Sequence, residues 1–273
     1  MLSSAVQAPP DVSSQPPILP RLLRWAGALA GTYGVSWLVT RALWWLTAGL
    51  AVAMAVLLGA ALARFHARAS VLVAATGFVV GPLLELFATD AGLWVYAHTT
   101  FGKLPAWVFT LWPAFPVCLL ALTRTLLPRQ GAAEPGRERP SPRALVVGLS
   151  IIALEIPCLV VLGTPSPWLC AAITAAMLVA AAAAVPTREN LLMLALSGFF
   201  GTACETLPVA LGAWSYPSAV FAGLPAWLPT GYSLFGFGLV QIALGLDAWL
   251  TARAAAGAPS ATPSPITALA KAP

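Results

Sequence analysis

The chain has 273 residues, of which 59% are hydrophobic and only 8% charged, with 11 Trp and a mean hydropathy of +0.86. A soluble domain carries about a quarter charged residues, so this composition excludes an ordinary globular protein and points to an integral membrane one. The net charge of +5 raises the question of nucleic acid, but the basic residues flank apolar spans instead of forming one soluble patch. They read as topology signals, and no nucleic-acid partner is expected.

Residues 1–20 are rich in Pro and Ser, lack a basic n-region, and read as a disordered tail and not a cleaved signal peptide. Apolar spans follow near 24–41, 43–63, 71–91, 105–126, 144–163, 167–186, 191–211 and 225–250. Eight helices of about 20 residues suit the chain length. The fold class is therefore all-α, a polytopic membrane protein of eight spans. Residues 128–143 are charged and Pro-rich, a linker between halves covering 21–127 and 144–252. Residues 253–273, rich in Ala, Pro, Ser and Thr, read as a second disordered tail. Cys118, Cys158, Cys170 and Cys204 fall in apolar runs without CxxC or Cys/His spacing, the pattern of buried structural thiols and not of a metal site.

The two halves are copies. Glu85 is followed by Gly92, Trp94, Tyr96, Pro105 and Trp107, and Glu205 is followed at the same spacings by Gly212, Trp214, Tyr216, Pro225 and Trp227, a constant offset of 120 residues (205 − 85). Across the 28 positions from Glu85 to Trp112 and from Glu205 to Tyr232, ten are identical without a gap, against roughly three expected by chance. Four spans per half, an even number, make the repeats parallel, related by an axis along the membrane normal. With both termini on one side, that side collects twelve basic residues, and the other has only Arg41 and Lys103. The termini are expected in the cytoplasm and the chain in the inner (plasma) membrane.

Glu85 lies 14 residues into its span, about 21 Å at 1.5 Å per residue, through an apolar core about 30 Å thick. Glu205 lies at the equivalent depth, so both acids are expected in the outer half of the bilayer. Gly92 and Gly212, two turns further on, are expected to end their helices, and Pro105 and Pro225 to lie in the first turn of the next. An ionisable group inside a membrane is costly and marks a functional site by default. The aromatics Trp94, Tyr96, Trp107, Trp112, Trp214, Tyr216, Trp227 and Tyr232 read either as an interfacial belt or as the wall of a cavity around the acids. Structural hydrogen bonds from Trp94, Tyr96 and their repeats are the alternative role for Glu85 and Glu205.

Two further acids lack repeat mates. Glu155, beside Pro157, aligns with Val35 and lies near the midplane; Asp90 aligns with Ala210 near the outer end of its span. Both join Glu85 and Glu205 as catalytic candidates. His98, on the same outer connection, is a candidate proton relay, while His66, between Arg64 and Arg68, reads as topology. Gln241 and Asp247 are polar residues in the inner half of the last span.

A carboxylic acid in a dry, aromatic-walled pocket favours its neutral form and can act as a general acid. Apolar substrates from lipid that respond to protonation are alkenes, and the resulting tertiary carbocation is stabilised by Trp and Tyr π faces. Hydration, isomerisation or cyclisation follows. The acid, then Gly-x-Trp-x-Tyr, then Leu-Pro-Ala-Trp, present twice, resembles the membrane carotenoid hydratases of bacterioruberin-type pathways and related bacterial membrane families. The resemblance covers residues 78–115 and 198–236, and departs from that family at Asp90-Ala91-Gly92-Leu93-Trp94 and at Glu205-Thr206. It implies addition of water to a terminal double bond of a C30 to C50 polyene, with Glu85 and Glu205 as acid and base. No cofactor or metal is expected, since the chain holds no phosphate loop, nucleophile elbow, zinc helix or haem motif. Competing classes are a transporter and a non-catalytic lipid-binding or assembly partner.

Overall fold

The computed structural model describes residues 68–127 and 141–257, together with Gly27. The described chain is six helices and one short ribbon: α1 (Arg68–Asp90), β1 (Val95–Tyr96), α2 (Val108–Leu126), α3 (Pro142–Leu162), α4 (Pro167–Ala184), α5 (Arg188–Ala210), β2 (Trp214–Ser215) and α6 (Leu228–Gly257). All six helices are long and apolar enough to cross a membrane. They match the six expected spans from 71 to 250, and the protein is a polytopic helical membrane protein. Apart from Gly27, the two spans expected over 24–63, like most of the expected linker, lie outside the described residues.

The starts of α2 and α6 and the end of α6 differ from expectation for local reasons. Helices α2 and α6 start three residues after Pro105 and Pro225; the prolines precede the helix, and their carbonyls accept from Val108 and Leu228 in a tight lead-in turn at 3.2 Å each. Helix α6 runs to Gly257, past the boundary expected at 252, because Ala254, Ala255 and Ala256 are strong helix formers. The Arg253 guanidinium also lies 4.7 Å over the Trp249 ring.

Helix α6 packs against each of the other five. Its approach to α3 is close because both surfaces carry glycine: a side chain at Gly148 would meet the Gly238 carbonyl oxygen. Small residues allow such approach where lipid offers no hydrophobic drive for helix association. At the end of the bundle remote from the ribbon, Arg68 of α1 pairs with Asp247 of α6 at 2.9 Å, and Gln241 donates to Asn190 of α5 at 3.0 Å. Asp247 therefore ties two spans together at that end.

The duplication is visible in the backbone. Helices α1 and α5 end in the same way, with Gly92 at φ 71° and Gly212 at φ 72°. Leu93 and Ala213 donate back to Ala88 and Pro208 at 2.9 Å each, the double-bonded Schellman termination that glycine in the left-handed region permits. Each chain then reverses into a two-residue strand, and the strands pair antiparallel with Val95 opposite Ser215 and Tyr96 opposite Trp214. Val95 and Ser215 are repeat mates (215 − 95 = 120), so the pseudo-twofold axis passes through that pair. Because α1 and α5 both run into this one ribbon, they point the same way, as parallel repeats require.

Beyond the ribbon, Phe101–Leu104 and Phe221–Leu224 each close a tight turn. In the second, Ala222 sits at φ 48°, where a Cβ costs about 1–2 kcal/mol. Ala222→Gly is expected to raise stability by about 1 kcal/mol, read as a higher unfolding temperature of the detergent-solubilised protein; an unchanged or lower temperature would show that the turn is not strained.

Candidate functional site

Glu85 lies on the buried face of α1 with Val73, Gly77, Gly81 and Ala88, the spacing of one helical stripe. Seven residues later the Gly92 reversal sends the chain back over the helix. Trp94 and Tyr96 lie on one face of the extended segment, since alternate residues of a strand share a face, while Val95 points away and is exposed. Trp94 Nε1 and Tyr96 Oη both donate to Glu85 Oε2, at 2.9 and 2.6 Å. The third donor comes from α2: Trp112 Nε1 reaches Glu85 Oε1 at 2.8 Å.

That reach depends on Gly81. A Cβ there would collide with the Cβ and ring of Trp112, so glycine lets the indole lie flat on α1 one turn before the acid. The second half repeats the device. Trp214 Nε1 and Tyr216 Oη donate to Glu205 Oε2 at 2.6 and 2.9 Å, Tyr232 Oη donates to Glu205 Oε1, and the Tyr232 ring lies against Gly201. Offsets of 9, 11 and 27 residues serve both acids.

The two half-sites face each other across the axis. Trp94 meets Tyr216 edge-on at 5.9 Å between ring centres, and Tyr96 meets Trp214 at 5.8 Å. Between the halves lies a small cavity of about 40 Å³. Glu85, Glu205 and Glu155 all line it, with Trp94, Tyr96, Trp112, Trp214, Tyr216, Trp227 and Tyr232. Seven of the eight aromatics singled out in the sequence thus converge there. Tyr96, Trp214 and Tyr216 also border a second hollow around the ribbon, with Gly212, Ala219 and Gly223.

Trp107 and Asp90 stand elsewhere. Trp107 is 2% exposed and backs the wall, 5.6 Å from both Tyr96 and Trp214. Its repeat mate Trp227 lines the cavity and donates to the Gly163 carbonyl at 2.9 Å. Asp90 is exposed and pairs with Lys103 at 2.6 Å; at the helix terminus its carboxylate points outward, away from the cavity. His98 is exposed and does not line it.

Leu84, Leu159, Leu228, Gly231 and Phe235 complete the lining, and sequence reading had not picked them out. The Gly81/Gly201 pair was detectable, since it keeps the same 120-residue offset. Among the described residues no group of three His, Cys, Asp or Glu is arranged to hold a metal ion. Among the described residues, the site offers three carboxyls and π faces and no cation.

The class defined by fold and site is a polytopic helical membrane protein with a carboxyl-bearing cavity on an internal pseudo-twofold axis. Its fold is similar to two crystal structures of MvINS, an Insig homologue from Mycobacterium vanbaalenii. The first, a cross-linked trimer, has a TM-score of 0.52 at 20% identity, covering 66% of this chain and 94% of that one. The second has a TM-score of 0.51 at 20% identity, covering 65% and 92%. No protein-family profile matches the chain, and no curated protein matches it in sequence.

Trp112→Phe keeps an aromatic ring, smaller than indole, but leaves Glu85 Oε1 without its donor. Stability is expected to fall by about 1–3 kcal/mol, seen as a lower unfolding temperature in detergent. An unchanged temperature would mean that the bond carries no weight.

Proposed function

We propose that this protein is a membrane enzyme performing cofactor-independent acid/base catalysis, by hydration, isomerisation or cyclisation, on an isoprenoid or carotenoid-like substrate drawn from the bilayer. The observation that carries the proposal is the convergence of Glu85, Glu155 and Glu205 on one aromatic-walled cavity. Acids are expensive in a membrane interior, and three around one apolar space match the protonation of an alkene. The Trp and Tyr faces would then stabilise the cation, and a carboxylate would orient water or remove a proton. The motif resemblance to carotenoid hydratases supports the same chemistry. The basic-residue distribution supports an inner-membrane location with cytoplasmic termini.

A second reading is a site that holds an apolar lipid without transforming it. It is favoured by the full complement of donors on Glu85 and Glu205, which suits a structural role as well as a reactive one. The two readings differ in product.

The test is mass spectrometry of lipid extracts from cells carrying the intact gene, a deletion, Glu85→Gln or Glu205→Gln, with membrane levels of each variant measured. The expected result is an isoprenoid that shifts by the mass of one water, or isomerises, only with the intact gene. Each Gln variant at normal level should lose about 100-fold or more of that product. Unaltered apolar metabolites in the deletion would overturn the enzymatic reading.

A further inference from the structure

The three carboxyls of the cavity are not equivalent. Glu85 and Glu205 each accept from three side-chain donors. Indole N–H cannot accept a hydrogen bond, and both oxygens of each of these carboxyls are already held by fixed donors. Glu155 is the opposite case. It is 0% exposed, and neither of its oxygens meets a partner among the described residues. A carboxylate left so would be a buried charge without compensation, which proteins avoid; the group therefore carries a proton.

Its setting departs from the repeat in two matched places. Glu155 corresponds to Val35 in the first half (155 − 120), and Gly231 corresponds to Leu111 (231 − 120). Glu155 Oε1 lies 3.6 Å from the point that a Cβ on Gly231 would occupy, and the Trp227 ring lies 3.5 Å from the same point. The second half thus carries an acid where the first has Val35, and no side chain in front of it where the first has Leu111. Both residues line the cavity.

We infer that Glu155 is the proton donor of this site, and that Glu85 and Glu205 are anchored carboxylates flanking the cation it creates. The inference rests on the acid/base reading above and replaces the division of acid and base between Glu85 and Glu205 that motif resemblance implies. In the step, the alkene π pair takes the Glu155 proton to form a C–H bond, leaving a tertiary carbocation and the Glu155 carboxylate. Water adds to the cation through an oxygen lone pair, and the oxonium proton returns to Glu155, so the net change is alkene plus water to alcohol. In isomerisation, a proton from the adjacent carbon returns instead, and its C–H pair becomes the new double bond.

The test uses purified wild-type protein and the variants Glu155→Val, Glu155→Asp, Glu85→Gln and Glu205→Gln, with two readouts. Infrared spectroscopy detects the carbonyl stretch of a protonated carboxylic acid, and product formation is followed on a C30 to C50 polyene in lipid nanodiscs. Glu155→Val, the residue of the other half, removes an unpaired buried polar group and is expected to unfold at an equal or higher temperature. It should nevertheless lose the protonated-acid band and about 100-fold or more of turnover, with Glu155→Asp restoring part of both. A protonated-acid band that survives Glu155→Val and vanishes in Glu85→Gln or Glu205→Gln would overturn the assignment while leaving the acid/base reading intact. The same holds for undiminished turnover in Glu155→Val. Loss of the band in Glu155→Val, with no product from wild-type protein on any polyene, would instead show a proton-bearing Glu155 without chemistry, overturning both the donor role and the enzymatic reading.

Discussion

The structure depends on keeping two carboxyl groups inside an apolar medium. An unpaired carboxylate there costs several kcal/mol, and each half compensates with three donors from its own sequence. Two come from the segment immediately after the acid-bearing helix and one from the helix that follows. The requirement dictates the local chain path. A glycine must end the helix in a left-handed turn, the next segment must be extended so that residues 9 and 11 positions on face the acid, and a glycine one turn before the acid must admit the third ring. Gly92, Trp94, Tyr96, Gly81 and Trp112 are explained by Glu85, and their repeat mates by Glu205.

The same constraint produces the cavity. Because the donors are large aromatics, satisfying the acids also builds two walls, and the ribbon pairing at Val95 and Ser215 brings the walls face to face. Helix α6 holds the arrangement by touching all five other described helices. Stability and site are therefore hard to separate at Glu85 and Glu205. At Glu155 they do separate: an acid with no partner among the described residues adds nothing evident to the fold and faces the space between the halves.

Much of this was legible in the sequence, for definable reasons. Spans from 71 to 250 stand out because membrane helices need long uninterrupted apolar runs. Glu85, Glu205 and their aromatics stand out because duplication prints the same spacing twice. The ribbon was not legible, since two residues cannot display a periodicity. Asp90 and Trp107 looked like site residues because they sit within the motif, yet a position at a helix end or behind a wall is set by three-dimensional packing. Glu155 was visible as an intramembrane acid, but its lack of partners and its opening toward Gly231 depend on contacts between α3 and α6, 76 positions apart (231 − 155). The loss of symmetry at Val35/Glu155 and Leu111/Gly231 is the sequence trace of that contact.

In the proposed chemistry, protons pass between this cavity and carbon. The most direct measurement is turnover of a C30 to C50 polyene by purified protein in deuterated water, followed by mass spectrometry and deuterium NMR of the product. The expected product carries one deuterium on the former double-bond carbon adjacent to the tertiary centre, and none forms with the Glu155→Val variant. A product without carbon-bound deuterium, or recovery of unchanged polyene from folded wild-type protein, would contradict it.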